Sequence, residues 1–138
     1  MICYAFTDGG SRGNPGDSGI GVIVKNESGE IVFSTSGYIG QATNNVAEYS
    51  ALLLLLRKMK STSCSHLIAH SDSELMVRQI NGEYRVKDEV LKKYFQRVIG
   101  LIENAPFRFE LKHVPREQNK EADQLANRGI DSKKLVKV

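Results

Sequence analysis

Residues 4–16 read Tyr-Ala-Phe-Thr-Asp-Gly-Gly-Ser-Arg-Gly-Asn-Pro-Gly, and the interpretation of the whole chain depends on this stretch. An aromatic and apolar run followed by glycines and Asn-Pro-Gly predicts a buried strand that ends in a tight, open turn. The strand would deliver the carboxylate of Asp8 to that turn. Asp8 is therefore a candidate metal ligand, although on this stretch alone it is explained equally well as the first residue of a turn.

Size and composition indicate one ordinary globular domain. The chain has 138 residues, 41% hydrophobic and 25% charged, which is enough to bury a core without disulfides. Its longest apolar run, 52–56, is far shorter than the ~18 residues of a membrane span. Residues 1–6 do not resemble a signal peptide, so we expect a cytoplasmic protein with no membrane partner. The net charge of +3 permits a polyanionic partner without requiring one.

The order of predicted elements is βββαβααβα, an α/β fold with a five-stranded mixed sheet flanked by helices. Thr43 or Asn44 would begin the long central helix, Ser73 would cap the second helix, and Asn119 would cap the last one, which Gly129 would stop. We assign 1–130 to the catalytic domain and 131–138 to a basic C-terminal tail. The predicted strands are 2–7, 20–24, 31–38, 66–71 and 107–113, and the predicted helices are 44–60, 74–80, 88–103 and 120–128.

Three carboxylates occupy comparable places in this order. Asp8 and Asp72 each follow a buried strand, and Asp123 lies in the first turn of the helix that follows another strand. Ligand sites of open α/β sheets lie at the carboxyl ends of strands, so we expect these side chains to converge. Glu48 is a fourth candidate, because a carboxylate on a helix that is apolar nearly all round is costly to bury unless it is paired or metal-bound. Its alternative role is to complement the helix dipole.

A group of carboxylates this dense needs cations, because like charges at close range raise one another's pKa. Mg²⁺ is a hard ion that prefers oxygen ligands, and phosphate chemistry is the usual reason for assembling such a site. Two ions ~3.5–4 Å apart would activate water on one side of a phosphodiester and stabilise the leaving oxygen on the other. The acids therefore predict two Mg²⁺ ions, with Mn²⁺ as a substitute.

With these residues in view, the chain resembles the type 1 ribonuclease H family along nearly its whole length. The matching motifs are Thr-Asp-Gly-Gly at 7–10 with Gly-Asn-Pro-Gly at 13–16, Thr-Asn-Asn-Val-Ala-Glu at 43–48, Ser-Asp-Ser at 71–73 and Asn-Lys-Glu-Ala-Asp-Gln-Leu-Ala at 119–126. Each motif alone is weak, but all four in this order make a strong signal. The resemblance implies a ribonuclease H-like endoribonuclease that cleaves the RNA strand of RNA·DNA hybrids and leaves 5′-phosphate and 3′-hydroxyl ends. The metal-binding and catalytic residues it implies are Asp8, Glu48, Asp72 and Asp123.

The resemblance also implies substrate-binding roles for residues beside the acids. The candidates are Gly9, Gly10, Arg12, Asn14, Asn44 and Asn45. The glycines and Asn14 would let the protein approach the minor groove, where 2′-hydroxyls distinguish RNA from DNA. Asn44 could instead serve only as a helix cap. Glu48 would accept a hydrogen bond from a ribose 2′-hydroxyl next to the cleaved phosphate.

Family members carry a mobile basic residue before the last helix, and two residues of this chain compete for that role. His113 keeps a similar distance before Asp123, whereas Arg116 lies in the more flexible part of the segment and could also reach a phosphate. We favour His113 slightly. A histidine at a strand end is more often structural, so its catalytic role is a hypothesis.

Some members insert a basic, Trp-containing handle after the second helix, but this chain has Gly-Glu-Tyr-Arg-Val-Lys at 82–87 and no Trp. We therefore predict the form that lacks the handle. Glu74 stands where several relatives have Gln, so it either faces away from the site or modulates metal affinity. Hybrid binding would depend on basic residues that include Arg12, Arg78, Arg85, Lys87, Lys92, Lys93 and Arg97.

We expect a monomer whose partner is the RNA·DNA hybrid, and two other functions stay open. The same site could also cleave double-stranded RNA or RNA–DNA junctions, because the duplexes share A-form shape and 2′-hydroxyl contacts. A catalytically silent hybrid-binding module is the other alternative. The four acids argue against it, since clustered negative charge gives no advantage to a protein that only binds phosphates.

Overall fold

The computed structural model describes residues 1–138 and contains one five-stranded sheet and four α-helices. The strands and helices follow one another in the predicted order, with a short 3₁₀ turn, Arg116–Gln118, before the last helix. The elements are β1 (Ile2–Arg12), β2 (Gly16–Asn26), β3 (Ile31–Ala42), α1 (Asn44–Met59), β4 (His66–Ser71), α2 (Glu74–Ile80), α3 (Glu89–Glu103), β5 (Arg108–His113) and α4 (Lys120–Ser132).

The sheet is mixed and has the strand order β3-β2-β1-β4-β5. The first three strands form an antiparallel meander, β4 pairs in parallel with β1, and β5 pairs in parallel with β4. The parallel pairing of β1 with β4 ends at Thr7 and Ser71. The next residue of each chain segment is a carboxylate, Asp8 or Asp72, so both acids lie side by side where the parallel pairing ends.

Helix α1 is the central helix. It is buried on nearly every side, because it packs on β1 and β2 and is covered by α3. All five leucines of 52–56 are buried, which matches the prediction from their continuous apolar run. Thr43 is the cap, since its side chain accepts a hydrogen bond from the Val46 amide at 3.2 Å.

Helix α4 packs on the other face of the sheet, across β2 and β3. Val22 pairs with Thr7 and is buried, whereas Gly21 pairs with Asp8 on the opposite face. A Cβ at Gly21 would lie only 2.3 Å from the Ala122 carbonyl oxygen and 2.6 Å from the Ala126 amide nitrogen. The missing side chain therefore allows α4 to lie almost against the strand that is paired with Asp8.

Boundary predictions were wrong for three strands and one helix. β1 does not end in a turn after Thr7 but continues to Arg12, because Gly9 and Gly10 pair with Ile20 and Gly19 of β2. β2 and β3 are also longer than predicted for the same reason, that backbone pairing does not need apolar side chains. Gly129 does not stop α4, because it lies inside the helix with its Cα against the Gly37 backbone.

The segment after α4 does not leave the body of the protein. The Tyr38 amide donates to the Lys134 carbonyl at 3.0 Å, and the Val136 amide donates to the Tyr38 carbonyl at 2.9 Å. Lys133 forms an ion pair with Asp17. The predicted boundary at residue 130 therefore falls within α4, and residues 133–138 lie along the edge of β3.

None of the helices combines the length and the apolar character that crossing a bilayer requires.

Candidate active site

One cleft of about 430 Å³ lies over the end of the parallel part of the sheet. Its walls come from β1, the N-terminal end of α1, the β4–α2 junction, the 3₁₀ turn before α4 and one face of α4. It contains all four predicted acids and several of the predicted substrate-binding residues. The predicted residues in its lining are Asp8, Gly9, Gly10, Arg12, Asn44, Glu48, Asp72, Arg116 and Asp123.

Glu48 reaches the cleft because α1 lies very close to β1. A Cβ at Gly9 would lie 2.2 Å from the Ala47 carbonyl carbon, so only glycine permits this approach. The Gly9 amide donates to Glu48 Oε1 at 2.9 Å and fixes the carboxylate. One oxygen from each of Asp8, Glu48 and Asp72 lies within 4.8 Å of the others.

Asp123 lines the same cleft from α4, and its carboxyl is near enough to Asp8 to contribute to the raised pKa of that residue. The start of α4 is tied to β1 by Asn119, which is 1% exposed. Asn119 Nδ2 donates to the Thr7 carbonyl oxygen at 2.9 Å, one residue before Asp8. Asn119 is the residue before α4, as predicted, but its side chain makes no cap bond: Nδ2 donates to Thr7, and the buried Oδ1 has no hydrogen-bond partner.

The cluster carries more negative charge than its surroundings support. Burial, then the Asp72 charge and then the hydrogen bond and charge of Asp123 raise the pKa of Asp8 to about 8. Burial and the charges of Asp8 and Asp72 also raise the pKa of Glu48 well above its usual range. The donor set contains only carboxylate oxygens, so these residues fit hard divalent cations, whose positive charge would let the acids ionise together.

Comparison with known proteins agrees with this site. The family model described as "Reverse transcriptase-like" matches residues 6–129. Ribonuclease HI of Halobacterium salinarum is 35% identical over 93% of the chain, and the chain spans 64% of that relative. The crystal structure of LC11-RNase H1 in complex with an RNA/DNA hybrid is 40% identical, with a TM-score of 0.89 over 94% of this chain and 97% of that one.

The chain belongs to the type 1 ribonuclease H family. Some relatives are much longer than this chain. A bifunctional protein of Mycobacterium tuberculosis is 38% identical over 91% of the chain, which spans only 34% of that protein. The predicted fold, a ribonuclease H-like α/β sheet with flanking helices, is confirmed by the strand order and by the structural likeness.

In the ribonuclease H motifs that contain Asn14 and Asn44, both side chains form hydrogen bonds with the backbone of the protein itself. Asn14 Oδ1 accepts from the Asn44 amide at 2.9 Å, and Asn44 Oδ1 accepts from the Ser11 amide at 2.8 Å. Asn44 therefore lines the cleft while it anchors β1 to α1. Asn14 and Asn45 lie outside the cleft, in an adjoining pocket of about 360 Å³.

The two candidates for the mobile basic residue differ in their position relative to the cleft. Arg116 lines the cleft, in the 3₁₀ turn before α4. His113 is exposed at the end of β5, where it pairs with Ser71, and it is not part of the cleft lining.

Sequence reasoning missed the polar cleft residues Ser11 and Asn127 and the apolar residues Ala126 and Ile130. Ser11 was hidden in the predicted turn. Asn127 follows Asp123 by four residues on α4, and residues four apart share a helix face, so the helical period alone could have identified it.

Several other titratable residues lie outside the cleft. Glu74 accepts from Arg78 at 3.0 Å and does not line the cleft. His70 stacks on Phe6 with ring centroids 4.4 Å apart. Cys3 and Cys64 are buried free thiols.

Proposed function

We propose that the chain is an endoribonuclease that hydrolyses the RNA strand of RNA·DNA hybrids and uses Mg²⁺ at the carboxylate cluster. One observation carries this proposal: four acids from four separate elements meet in an open cleft where the pKa of Asp8 is raised to about 8. Crowding these carboxylates costs free energy through burial and mutual repulsion. Such a cluster is expected in a site that binds cations and acts on a phosphate. The hybrid-bound structure of a 40% identical relative supports the choice of substrate.

Asp8, Glu48, Asp72 and Asp123 would hold two divalent cations, with Mn²⁺ as a substitute for Mg²⁺. When bound, such a pair supplies activation of water and stabilisation of the leaving oxygen in an in-line displacement at phosphorus. Hydrolysis in this sense breaks the bond from phosphorus to the 3′-oxygen, so the products carry 5′-phosphate and 3′-hydroxyl ends.

The remaining task of the site is to place the RNA strand. A Cβ at Gly10 would have nothing within 4 Å, so the floor of the cleft is open to a sugar-phosphate backbone at that point. Glu48 uses Oε1 for the Gly9 amide, which leaves Oε2 for a cation or for a ribose 2′-hydroxyl. A 2′-hydroxyl contact there would select RNA over DNA.

Arg116 is the better candidate for the mobile basic residue, because its side chain lines the cleft and His113 does not. Its guanidinium would bind a phosphate or assist release of the product. Gly9, Asn14 and Asn45 would form further parts of the substrate-binding surface. The protein would act as a monomer.

Cleavage of double-stranded RNA is the second candidate activity, because Oε2 of Glu48 and the open floor at Gly10 would accept any A-form duplex that presents 2′-hydroxyls. A binding module without catalysis is disfavoured by the acid cluster, which repels phosphates unless cations are present.

The test compares end-labelled RNA·DNA, RNA·RNA, DNA·DNA and single-stranded RNA with Mg²⁺, Mn²⁺ or EDTA. We expect internal cleavage of the RNA strand of the hybrid, only with a divalent cation, and 5′-phosphate product ends. Products with 2′,3′-cyclic phosphate ends, or cleavage that persists in EDTA, would contradict the proposed chemistry. Cleavage of RNA·RNA at a comparable rate would establish the second activity.

A further inference from the structure

The last residue of β1, Arg12, is held by α4 at the rim of the cleft. Its Nη1 donates to Asp131 Oδ1 at 2.6 Å. Its Nη2 donates to the side-chain oxygen of Asn127 at 3.3 Å and to the Asn127 carbonyl oxygen at 3.4 Å. One guanidinium therefore connects β1 with two successive turns of α4.

Asn127 connects this contact to the acid cluster. Its Nδ2 donates to the carbonyl oxygen of Asp123 at 3.0 Å, so the amide is fixed with its oxygen toward Arg12. On the other side of the cleft, the Ser11 amide is held by Asn44 of α1. The end of β1 is thus fastened to both walls, and the position of the Arg12 guanidinium is set relative to Asp123.

This ion pair is poorly placed to stabilise the fold. The Arg12 and Asp131 side chains are 48% and 65% exposed, and exposed pairs contribute little to the free energy of unfolding. The contacts occupy Nη1 and Nη2, while the Nε–H and the remaining Nη hydrogens stay free. A guanidinium held in this way loses less conformational freedom when it binds a phosphate than one that moves freely.

We propose that Asp131 is a positioning residue for substrate binding: together with Asn127 it holds Arg12 so that the free donors of the guanidinium bind a phosphate of the nucleic acid beside the carboxylate cluster. This inference rests on the proposed function. It assigns a role to a residue on the outer turn of α4 that touches no reacting atom.

The direction in which nucleic-acid affinity changes when Asp131 is replaced distinguishes this role from a general effect of charge. Asp131 is an exposed acid near a polyanion, so removal of its charge should by itself strengthen binding of the nucleic acid. If Asp131 holds Arg12 in place, its removal should weaken binding despite the more favourable charge.

The experiment measures KM and kcat for RNA·DNA cleavage by the Asp131→Asn variant. The matched control is Glu103→Gln, which removes the same charge from an exposed residue at the end of α3, outside the cleft. We expect KM to rise about three- to tenfold for Asp131→Asn with kcat within about twofold of wild type. Glu103→Gln should leave KM unchanged or lower it, and Asp131→Glu should restore most of the affinity.

A double-mutant cycle with Arg12→Ala completes the test. Asp131→Asn should add no further rise in KM once Arg12 is gone. An unchanged or lower KM in the single variant, or a rise that persists in the Arg12→Ala background, would overturn the proposal.

Binding without cleavage keeps this result independent of the proposed function. Hybrid affinity is measured by fluorescence anisotropy in the Asp8→Asn background with Mg²⁺, with and without Asp131→Asn. If the wild type does not cleave hybrid, the proposed function fails while this comparison still decides the role of Asp131. Equal affinities in the two proteins would contradict it.

Discussion

Replacement of Asp8 by Asn should stabilise the metal-free protein, and the gain should grow with pH. The folded protein retains the Asp8 proton up to a pH of about 8, whereas the unfolded chain releases it near pH 4. Between these values the folded state binds more protons than the unfolded state, so the free energy of unfolding falls as the pH rises. An asparagine at this position carries no proton to lose.

The structure sets the size of the effect. A pKa that moves from near 4 to about 8 corresponds to an upper limit of ~5–6 kcal/mol in the free energy of unfolding above pH 8. The cleft is open to water and Asp72 and Asp123 are partly exposed, so solvent screens part of the repulsion. We expect a gain of about 2 kcal/mol at pH 8.5 and a gain close to zero at pH 4.

The assay is urea unfolding of wild type and Asp8→Asn in EDTA at several pH values between 4 and 9. The two curves of unfolding free energy against pH should converge at pH 4 and separate progressively as the pH rises from there to about 8. Added Mg²⁺ should stabilise the wild type more than the variant, because it binds the folded state of the intact site. Parallel pH profiles in EDTA, or equal stabilisation by Mg²⁺, would refute the inference that Asp8 is held in an overcharged cation site.

Three further predictions test the supports of the site. Gly21→Ala should destabilise the fold by about 1–3 kcal/mol and reduce cleavage, because a methyl group cannot fit beneath α4; thermal unfolding checks the first effect and single-turnover kinetics the second. Asn119→Ala should cost about 1–3 kcal/mol in urea unfolding through loss of the buried bond to Thr7, and an unchanged midpoint would contradict that role. Arg116→Ala should lower kcat/KM at every pH between 6 and 9 more than His113→Ala does; a larger loss for His113→Ala, with an acidic limb removed from the pH–rate profile, would reverse this assignment.

Local sequence patterns predicted the elements well where the local interaction is also the one formed. Thr43 and Ser73 cap their helices as expected, because each side chain meets an amide only three residues away. Asn119 also precedes a helix, but its side-chain Nδ2 donates to the carbonyl oxygen of Thr7, 112 residues earlier in the chain. Nothing within the local sequence indicates that competing partner.

The glycines after Asp8 show a second limit of prediction from local sequence. Gly9 and Gly10 are typical of a turn, yet they continue β1, since a strand needs only a backbone partner and β2 supplies one. Their lack of side chains serves α1 and the open cleft instead.

The acid cluster was predictable because Asp8 and Asp72 follow the parallel-paired parts of neighbouring strands, while Glu48 and Asp123 lie in the first turns of the helices that begin at the same edge of the sheet. Its detailed geometry was not, because the approach of Asp123 to Asp8 depends on how closely α4 crosses β2 at Gly21. The lining by Asn127 could have been read from the helical period, whereas the link between Arg12 and Asp131, 119 residues apart, required the folded structure.

We propose that Asp8 and its companion acids make this cleft a metal-dependent site for cleavage of RNA in an RNA·DNA hybrid. The most direct measurement is cleavage of an RNA·DNA duplex with a labelled RNA strand by wild type and by Asp8→Asn, each with Mg²⁺, together with the affinity of each protein for the same duplex. We predict cleavage by the wild type and loss of cleavage by at least ~10³-fold in Asp8→Asn, with hybrid binding retained. Cleavage by both proteins at similar rates, or by neither while both bind the hybrid, would contradict the account.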